Sequence, residues 1–118
     1  MPASMPPSRF RAKFKAFLRK YPDFGIQSTQ HSRQRMRKWK IHLPQIRSIL
    51  RSGAVSQVEL DIRTGLDKYR VVGRDPDGRM LEVVVNLIES ERGRIDVITV
   101  IDTTGLGGGS RPRKRRGG

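Results

Sequence analysis

Apolar positions recur at two different periods along this chain, and the change of period divides it. From residue 8 to residue 53 the spacing is helical, and from residue 57 to residue 102 it is two. Phe10, Phe14, Phe17, Leu18 and Tyr21 fall within roughly a third of a helical circumference, while Arg9, Lys13, Lys15, Arg19 and Lys20 occupy the remainder. With Ser8 as a suitable cap, this spacing predicts a cationic amphipathic helix to about Lys20. Pro22 to Gln27 reads as a loop. Ser28 or Thr29 can cap a second helix over Ser28 to Lys40, which ends near Ile41 because Pro44 disfavours helical geometry at Leu43. Pro44 suits the first turn of a third helix with a buried stripe of Ile46, Ile49 and Leu50, and Gly53 reads as its left-handed stop.

Beyond Gln57, Val58, Leu60 and Ile62 alternate with Glu59 and Asp61, which predicts a strand with one wet face. Thr64-Gly65 marks a turn. Lys68 to Arg74 and Met80 to Ile88 form a hairpin around Asp75-Pro76-Asp77-Gly78, and Arg94 to Asp102 makes a fourth strand after Glu91-Arg92-Gly93. Setting Tyr69, Val71 and Gly73 opposite Val85, Val83 and Leu81 matches the apolar faces, leaving Arg70, Val72 and Arg74 opposite Val84, Glu82 and Met80. The expected fold is α+β, with three N-terminal helices followed by a four-stranded antiparallel sheet. One domain over residues 8–102 is expected between a disordered, Pro-rich 1–7 and a disordered, Gly-rich basic tail over 103–118.

Charge sharpens this division. The chain has 25 Lys and Arg against 11 Asp and Glu, a net +14, and the excess lies in the helical half and the tail. Residues 56–102 are mildly acidic, at −3. A basic helical half beside a weakly acidic sheet half directs a field at an anionic partner, for which nucleic acid is the first expectation, RNA ahead of DNA. An acidic protein acting as an inhibitor fits the same charge. With no cysteine, neither a disulfide framework nor a thiolate metal site exists, and no metal or other cofactor is expected. The longest apolar stretch, Val83 to Ile88, is interrupted by Asn86 and is far below the roughly 20 residues needed to span a bilayer. Met1 to Pro7 lacks the pattern of a secretory signal, so a cytoplasmic protein without a membrane partner is expected.

Candidate chemistry gathers on the second helix. His31, Arg35 and Lys38 stand at i, i+4 and i+7 and share one side, while Met36 and Trp39 can turn toward a core. RNA is cut without metal when a base takes the 2′-hydroxyl proton and cations stabilise the charge growing on the phosphorus oxygens. Histidine, with an ordinary pKa of about 6.5, is the side-chain type suited to that proton transfer. His31 is therefore the acid–base candidate, with Arg35 and Arg70 as catalytic cations and Lys38, Arg74, Arg9 and Lys13 as phosphate contacts. Arg113, Lys114, Arg115 and Arg116 in the tail extend that surface. The same residues also admit plainer roles: His31 as a surface hydrogen-bonding group, Arg35 and Lys38 as a solvated face, and Arg70 and Arg74 as partners of Glu82. His42, between two helices, reads as a capping or exposed residue, and Tyr69 as core. Asp75 and Asp77 belong to a turn, because a calcium loop would place its glycine later and a glutamate at its twelfth position.

Together, His31, Arg35-Met36, Ile41, Ile46, Ile49-Leu50, Tyr69-Arg70-Val71-Val72-Gly73, Asp77-Gly78-Arg79, Val83-Val84-Val85 and Val97-Ile98-Thr99-Val100 resemble the pattern of domain of unknown function 4258, over about residues 28 to 102. That family is distantly similar to microbial toxins of the RelE and ParE type. The resemblance implies helices joined to a curved antiparallel sheet, and a toxin-like, metal-independent ribonuclease. The alternatives are a non-catalytic nucleic-acid binder using the basic helices and tail, or a ParE-like toxin that docks on another protein.

Overall fold

The computed structural model describes residues 7–104, so the expectations for residues 1–6 and 105–118, including Arg113, Lys114, Arg115 and Arg116, lie outside the described residues. The order of elements is α1 (Pro7–Lys20), β1 (Gly25–Ser28), α2 (Gln30–Trp39), α3 (Leu43–Ser52), β2 (Ala54–Asp61), β3 (Leu66–Arg74), β4 (Met80–Ile88) and β5 (Arg94–Asp102). The three helices stand as expected, with α1 beginning at Pro7, one residue ahead of the expected cap. Among the described residues no helix is long and apolar enough to cross a membrane.

The sheet corrects the expected architecture. It has five strands in the order β1-β5-β4-β3-β2, and β1 pairs parallel to β5 where a loop was expected. The sheet is therefore mixed, and the helices do not all precede the strands. Four residues with a single apolar side chain, Ile26, carry no legible period, and their pairing is supplied by a distant segment: Gly25 N–H donates to Gly93 O and Thr29 N–H to Val97 O. The β3–β4 register is the expected one, from Tyr69 opposite Val85 to Gly73 opposite Leu81.

Residues paired across the sheet share a face. Tyr69, Val71, Leu81, Val83, Val85, Val97 and Val100 are buried in one cluster with Phe10, Phe14 and Phe17 of α1 and Ile46, Ile49 and Leu50 of α3. The Phe10 and Phe14 rings stand 6.3 and 5.6 Å from the Tyr69 ring. Burial, with Asp67 adding to it, pushes the Tyr69 phenol up to about 12, so this residue serves the core and stays neutral near physiological pH. The alternation that predicts a first strand fails at its end. Val55 and Val58 join the core, but Leu60 and Ile62 near the β2–β3 turn are 56% and 89% exposed. The strand begins three residues earlier than expected, and an irregularity between Val55 and Gln57 puts Val55 and Val58 on one face; Leu60 keeps that parity beside the turn, opposite Asp67, and Ile62 lies beyond the strand.

Gly53 ends α3 in an extended conformation, φ −76°, and not in the left-handed one expected of a glycine stop. Its lack of a side chain serves close packing: a Cβ there would lie 2.6 Å from Ile49 O and 2.8 Å from Val72 O. Gly73 answers it from β3, where a Cβ would lie 3.1 Å from Gly53 Cα and 3.3 Å from Ile49 Cδ1. The end of α3 rests directly on the β3 backbone.

A second junction fixes α2. Arg79, on the β3–β4 turn, donates to Trp39 O at 2.6 Å and Lys40 O at 3.0 Å, satisfying carbonyls left over at the end of α2. The same guanidinium reaches Asp75 Oδ2 at 3.3 Å and Asp102 at 3.6 Å. Asp75 is buried, and its carboxylate also accepts from the backbone N–H of Asp77 and Arg79 and from Gln45 Nε2 on α3. Gln45 in turn accepts the His42 N–H at 2.7 Å, so the start of α3 joins the network. Burial pushes the Asp75 carboxyl up, but the Arg79 N–H, Gln45 and the Arg79 guanidinium outweigh it and hold the pKa below 3.8, the ordinary value.

Two predictions follow from these junctions. Gly53→Asn, which a left-handed cap would accept, should destabilise the fold by about 1–3 kcal/mol, as overpacking does, and Gly53→Ala by a similar amount; a denaturation curve in which Asn is tolerated and Ala is not would restore the cap reading. A depressed carboxyl pKa gives stability that is complete above the unfolded value and lost as pH falls through the folded one. Asp75→Asn should thus cost about 1.5–3 kcal/mol at pH ~7, with the gap from wild type closing below pH ~4; urea unfolding at both ends would show a pH-independent gap if the carboxylate charge were irrelevant.

Candidate nucleic-acid interface

Cations on the sheet and cations on α2 meet different surroundings. Lys68 lies 3.7 Å from Glu59, Arg70 is paired with Glu82, Arg94 lies 2.7 Å from Asp96, and Arg79 is held by Asp75 and Asp102. On α1, Lys20 lies 3.1 Å from Glu89 and Lys13 lies 4.0 Å from Asp67. The Tyr21 hydroxyl also donates to Glu89, and with Lys20 it holds that carboxyl below its usual range. No ion pair among the described residues involves Arg33, Arg35, Arg37, Lys38 or Lys40, and α2 contains no acid. Those charges stay available to an external anion.

Local sequence explains how α2 presents them. Thr29 caps the helix by accepting the Ser32 N–H at 3.0 Å, and Ser32 returns its own hydroxyl to Thr29 O. Ser32 is buried, while Met36 and Trp39 pack partly against the core. At about 100° per residue the buried stripe runs through Ser32, Met36 and Trp39, leaving cations on both flanks. One flank is His31, Arg35 and Lys38, the other Arg33 and Arg37. Lys40 then turns the chain in the left-handed region, φ 55°, and its N–H closes the helix on Arg37 O and Met36 O.

On the first flank, Arg35 Nε points at His31 Nε2 over 3.5 Å, and Lys38 Nζ lies 5.2 Å from the centre of the Trp39 ring. His31 is exposed and Arg35 half-buried. The structure thus brings together the three α2 residues singled out from sequence. It does not bring the sheet arginines to them. Arg70 faces away from the side covered by α1 and α3, shares that outer face with Val84 and Thr99, and is engaged with Glu82. Two strand spacings, about 10 Å, separate its backbone from β5, the strand along which α2 packs. Arg74 donates to Gly78 O at 2.8 Å within its own hairpin. Arg9 is exposed on α1, and Lys13 shares its charge with Asp67.

The second flank was missed in the sequence. Arg33, Met36, Arg37, Lys40, Ile41, His42 and Leu43 line an open groove of about 720 Å³ at the corner between α2 and α3. Arg33 Nη1 donates to Ser28 O at 2.8 Å, which fixes one side of it. The i, i+4 spacing of Arg33 and Arg37 was as legible as that of His31 and Arg35, but the turn at Lys40 that folds His42 and Leu43 back beside them was not. Among the described residues no group of three His, Cys, Asp or Glu side chains is placed to hold a metal ion.

No curated protein and no solved structure matches the chain. The family model for a domain of unknown function, DUF4258, matches residues 28–102, which run from the end of β1 through α2 to the last strand and leave α1 outside. By that match the chain belongs to the DUF4258 family.

Proposed function

We propose that this protein binds RNA through its phosphate backbone, using the outward surface of α2. The observation that carries this reading is the sorting of charge: Lys68, Arg70 and Arg94 of the strands each lie against a carboxylate and Arg74 against a carbonyl, whereas five cations of the α2 segment meet no carboxylate among the described residues. A phosphate chain laid on this surface loses counterions and gains charge-assisted hydrogen bonds, which favours binding with little dependence on base identity. The exposed Arg9, Arg11, Lys15 and Arg19 of α1 and the basic run in residues 111–116 add to the positive field. A distant similarity of the DUF4258 pattern to RelE-type toxins would favour RNA as the polyanion, and an acidic protein covering α2 would act as a competitive inhibitor.

A second reading, that the bound RNA is also cut as by a toxin-like ribonuclease, is favoured by the placement of Arg35 beside His31. The His31 imidazole would take the 2′-hydroxyl proton, the 2′-oxygen would attack phosphorus with Arg35 facing the non-bridging oxygens, and the 5′-oxygen would leave with a proton from water. The product would be a 2′,3′-cyclic phosphate. Arg70 has no part in this step.

Arg35→Ala combined with Lys38→Ala should weaken RNA binding at least tenfold at low salt and make the slope of log affinity against log salt shallower by about 1.4, two single-strand phosphate contacts; titrations giving an unaltered slope would remove α2 from the interface. For the second reading, His31→Ala should abolish cleavage of a fluorescent RNA and leave the melting temperature within about 2 °C, since exposed substitutions cost little. Equal cleavage by variant and wild type would end it.

A further inference from the structure

The α2–α3 groove differs in kind from the rest of the cationic surface because it has a floor. Met36 and Ile41 form its base, Leu43 stays 45% exposed at the first position of α3, and the His42 ring lies beside it. Arg33, Arg37 and Lys40 line the same depression. A row of cations alone is sufficient for the backbone of a duplex, whose bases are stacked inside and reach no such floor. An apolar surface flanked by an imidazole suits a flat, unpaired base, with the phosphates on either side meeting the cations.

Hydrogen-bonding capacity points the same way. Arginine and lysine side chains only donate, so the groove is rich in donors and poor in acceptors. A nucleotide brings phosphate oxygens, ring nitrogens and carbonyls that accept. A peptide backbone brings a donor for each acceptor, and half of its groups would find no partner among these cations. The groove therefore matches a nucleotide better than an acidic peptide, although both carry negative charge.

We infer that the α2–α3 groove holds an unstacked base of single-stranded RNA over Met36, Ile41, His42 and Leu43, with the adjoining phosphates on Arg33, Arg37 and Lys40. This rests on the RNA-binding reading and adds to it the form of the RNA. The test strips the imidazole and the exposed leucine from the groove and keeps every Arg and Lys: the variant His42→Ala, Leu43→Ala in the full chain. The bond from the His42 backbone N–H to Gln45 Oε1 persists in that variant, and its melting curve checks that α3 stays docked.

Fluorescence anisotropy with a short single-stranded RNA and with the duplex of the same length reads the result. Wild type should prefer the single strand; the variant should bind it about five- to tenfold more weakly at an unchanged salt slope and keep duplex affinity within about twofold. Equal loss on both RNAs, no loss on either, or an altered salt slope would overturn the inference while leaving the α2 backbone reading in place. Failure of wild type to bind either RNA at low salt would sink both. Single-strand affinity that is unaltered in the variant, together with tight binding of an acidic peptide that the variant loses, would assign the groove to a protein partner.

Discussion

The position of α2 depends on the ion pair between Asp75 and Arg79. One guanidinium meets two carbonyls at the end of α2 and the carboxylates of Asp75 and Asp102, while the buried Asp75 also accepts from Gln45 on α3. A buried carboxylate is tolerable only because so many donors converge on it, and removing any one leaves charge in an apolar setting. Rigidity at this point has a direct result. The cations of α2 and the turn that shapes the groove are held against the sheet by a junction that none of them joins through its own side chain.

Separating paired from unpaired charge lets one small domain reconcile stability with a large positive net charge. With a net charge of +14, self-repulsion opposes compactness. The acids of the sheet answer cations within reach, on the outer face at Glu59, Glu82 and Asp96 and at the edge of α1 at Asp67 and Glu89. α2 is left uncompensated. Exposed pairs of this kind contribute little individually to stability, but they lower the outward field of the sheet relative to that of the helices.

Where local pattern decides, the sequence was legible. The β3–β4 register followed from matching apolar faces across a turn of recognisable composition, and the α2 row of His31, Arg35 and Lys38 followed from helical periodicity alone. Strand β1 was not legible, because its four residues gain strand character only from β5. Gly53 was read as a glycine that needs a left-handed backbone, when the constraint is the approach of α3 to β3. Reading Arg70 as a member of the site required knowing which sheet face the helices cover, and they cover the other one. The groove needed two facts beyond periodicity, the left-handed Lys40 and the return of Leu43 toward α2.

The parallel pairing of β1 with β5 bears on how the chain matures. Thr29, the cap of α2, hydrogen-bonds to Ile98 across 69 positions of sequence, and β5 is the last strand. During translation α1, α3 and the first hairpins can assemble before β5 leaves the ribosome, but the cradle of α2 cannot. A nascent chain therefore has no docked α2 until synthesis has passed β5, and the cationic surface of α2 takes its place only after the layers of α1, α3 and β2–β4 can form.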